Sequence, residues 1–368
     1  MKIALVHDYL CSYGGSERVF QNMCEEFVDA DIYTLAYNPN KTYPYFKERS
    51  INVTWLNKFV RSTALFKLFF PVSIFAMKKL TFDEYDIVIS SSATVAKYIS
   101  AKNAKHICYC YIPTRAIWDT DVYFNKGVIK TLFNLTKPLL KKLDYMAAQN
   151  VDQFIAISEM TKNIIKEHYN RDADVILCPI DLSMYHSNDD DRKGFLLVSR
   201  LEKWKRVDIA IKAFNKTGDF LKIVGTGPEM EKLKSIAGPN IIFLGRLNDS
   251  DLASEYALVK AVVFTPYIEY GLIPLEANAC GTPVICYGHG GVEETMISVE
   301  CAEVKGLLPT AIFFNEQTEK SLLAALVTFE KTTFVSEHLV KHAQNWDIPT
   351  FQKNFRAYVD SYSDSMIK

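Results

Sequence analysis

At 368 residues the chain is long enough for two domains with substantial cores, and 49% hydrophobic with 23% charged residues is a globular composition. A net charge of −1 removes any bulk electrostatic case for nucleic-acid binding. The eight cysteines lack the paired two-residue spacing of a zinc site, and Cys108 and Cys110 share one face of a predicted strand, as reduced, buried thiols would.

Lys2 to His7 is an apolar run that ends at Asp8; it reads as a strand and leaves no room for a leader segment. Gly14 and Gly15 follow, and then a helical period of Val19, Phe20, Met23 and Phe27. Strand, glycine loop and helix open a nucleotide-type α/β unit, although an ordinary strand–helix turn reads the same way. Asp31 to Ala36, Ile51 to Leu56, Tyr85 to Ser90, His106 to Tyr111 and Gln153 to Ser158 read as further strands with helical segments between them. Ser90-Ser91-Ser92 suits either the polar rim of a cleft or a helix N-cap.

Two stretches of this half stand apart. Between Arg49 and Phe82 there is no acid, while Arg49, Lys58, Arg61, Lys67, Lys78 and Lys79 are basic and Trp55, Phe59, Phe66 and Phe69 are bulky. Ala64 to Met77, the longest apolar run, holds Lys67 and Pro71 and is too short to span a bilayer. Between Asn125 and Leu143 there is again no acid. There Val128, Leu132, Leu135, Leu139 and Leu143 recur at helical spacing, with Lys126, Lys130, Lys137 and Lys141 about 200° away around the helix. The pattern predicts either leucines in the core with a solvated basic face, or a contact with an anionic membrane surface. Pro138 is expected to bend or break the helix.

A border is expected at Cys178-Pro179, after which Phe195 to Val198 restarts the strand–helix alternation. Arg200 at that strand's end and Lys205 near the next helix can reach one point, where two cations would neutralise a diphosphate; a solvated basic turn is the plain alternative. Leu221 to Gly225 precedes Gly227, but the dinucleotide pattern fails at Met230, where a third glycine is needed. Ile241 to Gly245, Ala261 to Phe264, Val284 to Tyr287 and Ala311 to Phe314 read as strands. After the third of these last four come Gly288 to Gly291. After Ala261 to Phe264 come Glu269, Gly271, Leu272 and Ile273, then a helix expected to start near Pro274 with Glu276 on its first turn. Two strand-end loops flanking one carboxylate suit a ribose and a diphosphate. Phe351, Phe355, Tyr358 and Tyr362 lie at roughly helical spacing near residue 366.

The stretch Tyr270-Gly-Leu-Ile-Pro-Leu-Glu-Ala-Asn-Ala-Cys-Gly-Thr-Pro-Val-Ile285 closely resembles the nucleotide-sugar signature of the retaining, group 1 glycosyltransferases of family 4. Tyr109-Cys-Tyr-Ile-Pro-Thr-Arg-Ala-Ile-Trp-Asp119 resembles a second segment of that family, matching at Pro113, Arg115, Trp118 and Asp119, and Arg200 with Lys205 matches its R-x4-K pair. The resemblance implies an α/β protein of GT-B fold: two Rossmann-like domains facing a central cleft. Residues 1–178 would bind acceptor, 179–345 the nucleotide sugar, and 346–368 would form a helix crossing back to the first domain. It implies transfer of a hexose, mannose favoured, from a GDP- or UDP-linked donor to a lipid-linked or polysaccharide acceptor, as in capsule or lipopolysaccharide synthesis. Configuration would be retained and no cofactor or metal needed. Arg200 and Lys205 would hold the diphosphate, Glu276 the ribose, and the amides of Gly271, Leu272 and Ile273 phosphate, with Glu269 on the sugar. Gly14 and Gly15 would reach donor and acceptor, and Arg115, Trp118 and Asp119 would lie on the acceptor side. The expected place is the cytoplasm, at the inner face of the membrane.

Two departures stand out. Tyr111 occupies the place of a histidine that contacts the sugar, and Ile268 occupies the usual place of the first glutamate, so that Glu269 must shift by one residue to serve. They leave a weakly active nucleotide-sugar binder open, and an epimerase of the same fold. Asp119-Thr120-Asp121 also spells the metal motif of a different glycosyltransferase fold, without that fold's context.

Overall fold

The computed structural model describes residues 1–119, 128–188 and 191–364, with backbone alone at 128–134 and 363–364. The chain divides into two compact units, Met1–Cys178 with Phe351–Lys368, and Pro179–Thr350. The first unit contains β1 (Ile3–His7), α1 (Gly15–Glu26), β2 (Asp31–Thr34), β3 (Ile51–Val53), α2 (Thr63–Lys78), β4 (Ile87–Ser92), β5 (Lys105–Cys110) and α3 (Arg115–Trp118). It continues with α4 (Val128–Gln149), β6 (Gln153–Ala156), α5 (Glu159–Tyr169) and β7 (Ala173–Val175). The second contains β8 (Phe195–Val198), α6 (Val207–Thr217), β9 (Leu221–Val224), α7 (Met230–Ile236), β10 (Ile241–Gly245), α8 (Asp249–Leu258), β11 (Ala261–Phe264) and α9 (Leu272–Ala279). After these come β12 (Val284–Tyr287), α10 (Val292–Thr295), α11 (Val299–Lys305), β13 (Ala311–Phe314), α12 (Glu319–Phe329) and α13 (Ser336–Ala343). The last helix, α14 (Ile348–Asp364), starts in the second unit and runs into the first.

Each unit is built on a parallel sheet, ordered β3-β2-β1-β4-β5-β6-β7 in the first and β10-β9-β8-β11-β12-β13 in the second. Strands such as Ala261–Phe264 are buried along their whole length, because helices cover both faces of a parallel sheet. The strand order reverses between β1 and β4, and between β8 and β11. At such reversals the loops leaving the carboxyl ends diverge and open a crevice where ligands bind. The first unit closes with α14: Phe351, Phe355 and Val359 are buried, and the Phe355 ring lies 5.8 Å from that of Tyr109. Arg356 of the same helix binds the carboxylate and carbonyl of Glu26.

Several expectations are corrected by this fold. Helix α4 runs unbroken through Pro138, which is exposed. In the part of the leucine stripe that is described, Leu135 and Leu139 are 76% and 60% exposed and Leu143 is half-buried, while Leu140, Asp144, Ala147 and Ala148 are buried; the Val128 and Leu132 side chains lie outside the described residues. The stripe repeats at the right period, but the core selected the neighbouring stripe. Ser90, Ser91 and Ser92 form neither rim nor cap; they lie within β4 and are buried. Helix α9 begins at Leu272, which places Glu276 on its second turn. Asp121, Lys126 and the Lys130 side chain lie outside the described residues.

Candidate active site

In the second unit, β8 and β11 pair directly, so the loops that leave them emerge side by side. Arg200 and Lys205 lie on the first loop, and Glu269, Gly271, Leu272 and Ile273 on the second or at its helix start. The Thr265 hydroxyl ties the loops together by donating to the Lys205 carbonyl at 2.7 Å, and Gln317 donates to the Thr265 carbonyl at 2.8 Å. The Lys205 ammonium sits 3.9 Å over the Trp204 ring, whose indole N–H donates to Glu202. Arg200 is largely exposed, its guanidinium 3.7 Å from Glu202. Arg200 thus lies at a wet edge, with half-buried Lys205 close to it in the chain.

The loops after β11 and β12 are joined by backbone. Ile268 bridges Gly290, and the Gly291 N–H donates to the Ile268 carbonyl at 2.8 Å. A Cβ on Gly291 would stand 2.3 Å from the Glu269 carbonyl oxygen, so this approach requires glycine. The Ile268–Glu269 segment is tied by its backbone to Gly290 and Gly291, and this sets where Glu269 leaves the loop. The amides of Leu272 and Ile273 open α9 and point out of the helix towards this junction, where an anion is favoured. Glu276 accepts a 2.8 Å hydrogen bond from the Tyr256 hydroxyl. Burial and the neighbouring Glu276 charge hold the Tyr256 phenol well above its ordinary pKa, so it remains a donor and orients the carboxylate.

In the first unit the reversal lies between β1 and β4. Asp8, at the end of β1, accepts from four successive amides, Ala93 to Ala96, at 2.6–2.8 Å, and so shapes the loop after β4 from within. Gly14 and Gly15 start α1. Glu17, 4% exposed, accepts from Ser12 and Ser16 at 2.6 and 2.9 Å, and one of its oxygens would stand 2.4 Å from a Cβ on Gly14. Tyr111 is buried beneath this loop. Its hydroxyl donates to the Ser16 carbonyl at 2.9 Å and lies 3.0 Å from Ser91 Oγ, which in turn is 3.0 Å from His7 Nδ1. That hydroxyl holds the glycine loop from below.

Arg115 begins α3, Asp119 is exposed just after it, and Trp118 is anchored inward. The Trp118 indole N–H donates to Asp144 at 2.7 Å, and its ring stacks on His168 at 4.4 Å with the Lys141 ammonium 4.6 Å away. Fully buried Asp144 also accepts from Lys97 at 2.8 Å, Tyr98 at 2.5 Å, Thr114 at 3.1 Å and Tyr169 at 2.6 Å. Sequence reasoning missed Asp144, Lys97, Glu17 and Tyr256 as supports of these loops. Only Glu17 carried a local signal, an acid three residues after the glycine it packs against. Among the described residues no group of three or more His, Cys, Asp or Glu is placed to hold a metal.

Two family signatures divide the chain: Glycosyltransferase Family 4 matches residues 13–184, and Glycosyl transferases group 1 matches residues 184–346. The alpha-1,3/1,6-mannosyltransferase ALG2 of Saccharomyces cerevisiae is 23% identical, over 98% of this chain and 81% of that protein. Its counterpart in Dictyostelium discoideum is 24% identical over 81% and 84%. Among solved structures, sucrose-phosphate synthase from Thermosynechococcus elongatus superposes with a TM-score of 0.75 at 15% identity, covering 99% and 100%. Anabaena HepE in complex with UDP-glucose gives 0.70 at 17%, covering 98% and 100%. Two parallel-sheet halves with these signatures define a glycosyltransferase of GT-B fold. The chain belongs to the group 1 glycosyltransferases.

Proposed function

We propose that the protein transfers a hexose, with mannose favoured, from a nucleotide diphosphate sugar to a hydroxyl of a lipid-linked or polysaccharide acceptor. The observation that carries this reading is the junction in the second unit. Two locked loops, the start of α9, the Tyr256-held Glu276 and the pair Arg200 and Lys205 gather around the reversal between β8 and β11. The named activity of the yeast and Dictyostelium relatives supports mannose. The UDP-glucose held by HepE supports a nucleotide sugar, GDP- or UDP-linked.

In this reading Arg200 and Lys205 neutralise the diphosphate as the bond from the sugar carbon to phosphate oxygen breaks. The acceptor oxygen bonds to that carbon from the same face, and its proton passes to the departing phosphate, so that configuration is retained. Glu276 takes the ribose hydroxyls, the amides at Gly271 to Ile273 take phosphate, and Glu269 meets the sugar. Gly14 and Gly15 reach donor and acceptor, Arg115 and Asp119 belong to the acceptor side, and Tyr111 and Trp118 hold that side in shape. In this reading the transfer itself needs no cofactor. A lipid-linked acceptor and the acid-free segments together support a place of work at an anionic membrane surface.

The test is to incubate the purified chain with radiolabelled GDP-mannose, UDP-glucose and UDP-galactose, with and without membrane extract. Label from GDP-mannose should enter a lipid-extractable or polymeric product. Arg200→Ala and Lys205→Ala should each lower turnover about a hundredfold, the order seen when one stabiliser of developing charge is removed. Turnover within threefold of the parent in both variants would overturn the assignment.

A further inference from the structure

We propose that the outward faces of α2 and α4 together form a docking surface that inserts into an anionic lipid bilayer. This rests on the reading that the acceptor is lipid-linked, and it says which side chains meet the lipid. Helix α2 is apolar on both sides. Phe66, Phe70, Ile74 and Met77 are buried, yet Leu68, Val72 and Phe75 are 66%, 39% and 59% exposed. Helix α4 exposes Leu135, Leu139 and Met146 at 76%, 60% and 51%. The two helices lie on one side of one sheet, since Phe66, Phe70 and Ile74 of α2 share a single buried cluster with Leu140 and Ala147 of α4. Both touch the short segment Ala96–Tyr98. Trp55 and Phe59, just ahead of α2, are about half exposed as well. A water-soluble surface rarely gathers so much exposed apolar area without a partner.

Charge selects the occupant. On α2 and residues 135–143 of α4, Lys67, Lys78 and Lys142 are exposed, Lys137 is half-exposed and no acid occurs, in a chain of net charge −1, so the remainder is net negative. An anionic bilayer attracts this face and repels the rest. A second copy of the chain would set like charges against like. Among the described residues no helix is long and apolar enough to cross a membrane, so the contact is a shallow one along helix sides. The arrangement also inverts the simplest basic-helix picture. Lys141 is drawn inward over Trp118 while the leucines stand outward. Binding should therefore combine a charge component that salt screens with an insertion component that salt leaves.

The experiment is co-sedimentation of the full chain with phosphatidylcholine vesicles, with or without 30% phosphatidylglycerol, in low and high salt. Binding is expected only to the anionic vesicles, weakened but not abolished by salt. The triple variant Leu68→Gln, Phe75→Gln, Leu139→Gln changes exposed positions only. It should fold normally by circular dichroism, keep transfer to a short soluble mannoside, and lose at least tenfold in vesicle partitioning. Equal partitioning of the variant, or no vesicle binding at all, would overturn the proposal. So would a soluble dimer in sedimentation velocity that the variant splits, which would assign the face to a second copy. A protein that binds vesicles as described yet transfers no sugar would sink the functional reading and leave the docking surface standing.

Discussion

His106 lies inside the first sheet, 1% exposed, with Nε2 2.7 Å from the Ser90 hydroxyl. Burial pushes its pKa down to about 4 from an ordinary 6.5, although Asp152 pulls the other way. Between those values the unfolded chain binds a proton that the native chain does not, so stability falls as the pH drops through that window. The loss is roughly 3 kcal/mol for one such group. His7, lowered by burial as well, acts in the same direction. Asp144 acts in a different range. Burial raises its pKa, but the Lys97 ammonium and its hydroxyl donors outweigh that and hold it below the usual carboxylate value, so its contribution is lost only in stronger acid. Urea unfolding at pH 7, 5.5 and 4.5 should show declining stability, and His106→Gln should flatten the decline by about one proton. An unchanged slope would mean that His106 is protonated in the native state. None of this was legible in the sequence, because a histidine inside a strand pattern looks the same whether buried or half wet. Tyr111 shows the same limit: the replacement for histidine could be read, but not that its hydroxyl ends on Ser16.

Among the elements, the strands of the second unit were the most legible. Phe195–Val198, Ile241–Gly245, Ala261–Phe264, Val284–Tyr287 and Ala311–Phe314 stand where their apolar runs predict, and a doubly covered strand such as Ala261–Phe264 must be apolar throughout. The site loops were legible as glycine-rich breaks, but their mutual locking was not, because it is made by backbone atoms that any sequence carries. That locking has a measurable result. Gly291→Ala should push the loop after β12 away from Glu269 and destabilise the protein by about 1–3 kcal/mol, the usual range for a close steric misfit. Titration calorimetry should show nucleoside diphosphate binding weakened at least tenfold. Unaltered affinity would place the nucleotide elsewhere. Helix α4 was the misleading element: period alone marks which residues share a face, and says nothing about which face the core takes.

At the scale of the whole molecule, two parallel-sheet halves followed from the repeated strand–helix alternation and the break near Pro179. Ownership of the last helix rested on the family resemblance and not on the pattern, because aromatic residues at helical spacing fit either half equally well. In the structure Gln352 donates to the Asn22 carbonyl, a contact between positions 330 residues apart in sequence. The second unit is therefore an uninterrupted piece of chain set inside the first. This orders their assembly. During synthesis, and again on dilution from denaturant, residues 179–350 need only neighbours within their own stretch of chain. The first unit must wait for α14 to return across the full span of the second, and such long closures are slow. Pulse-labelling hydrogen exchange during refolding should find β8, β11 and β12 protected before β5, whose Tyr109 packs against Phe351 and Phe355. If β5 is protected first, the leading half assembles without its final helix.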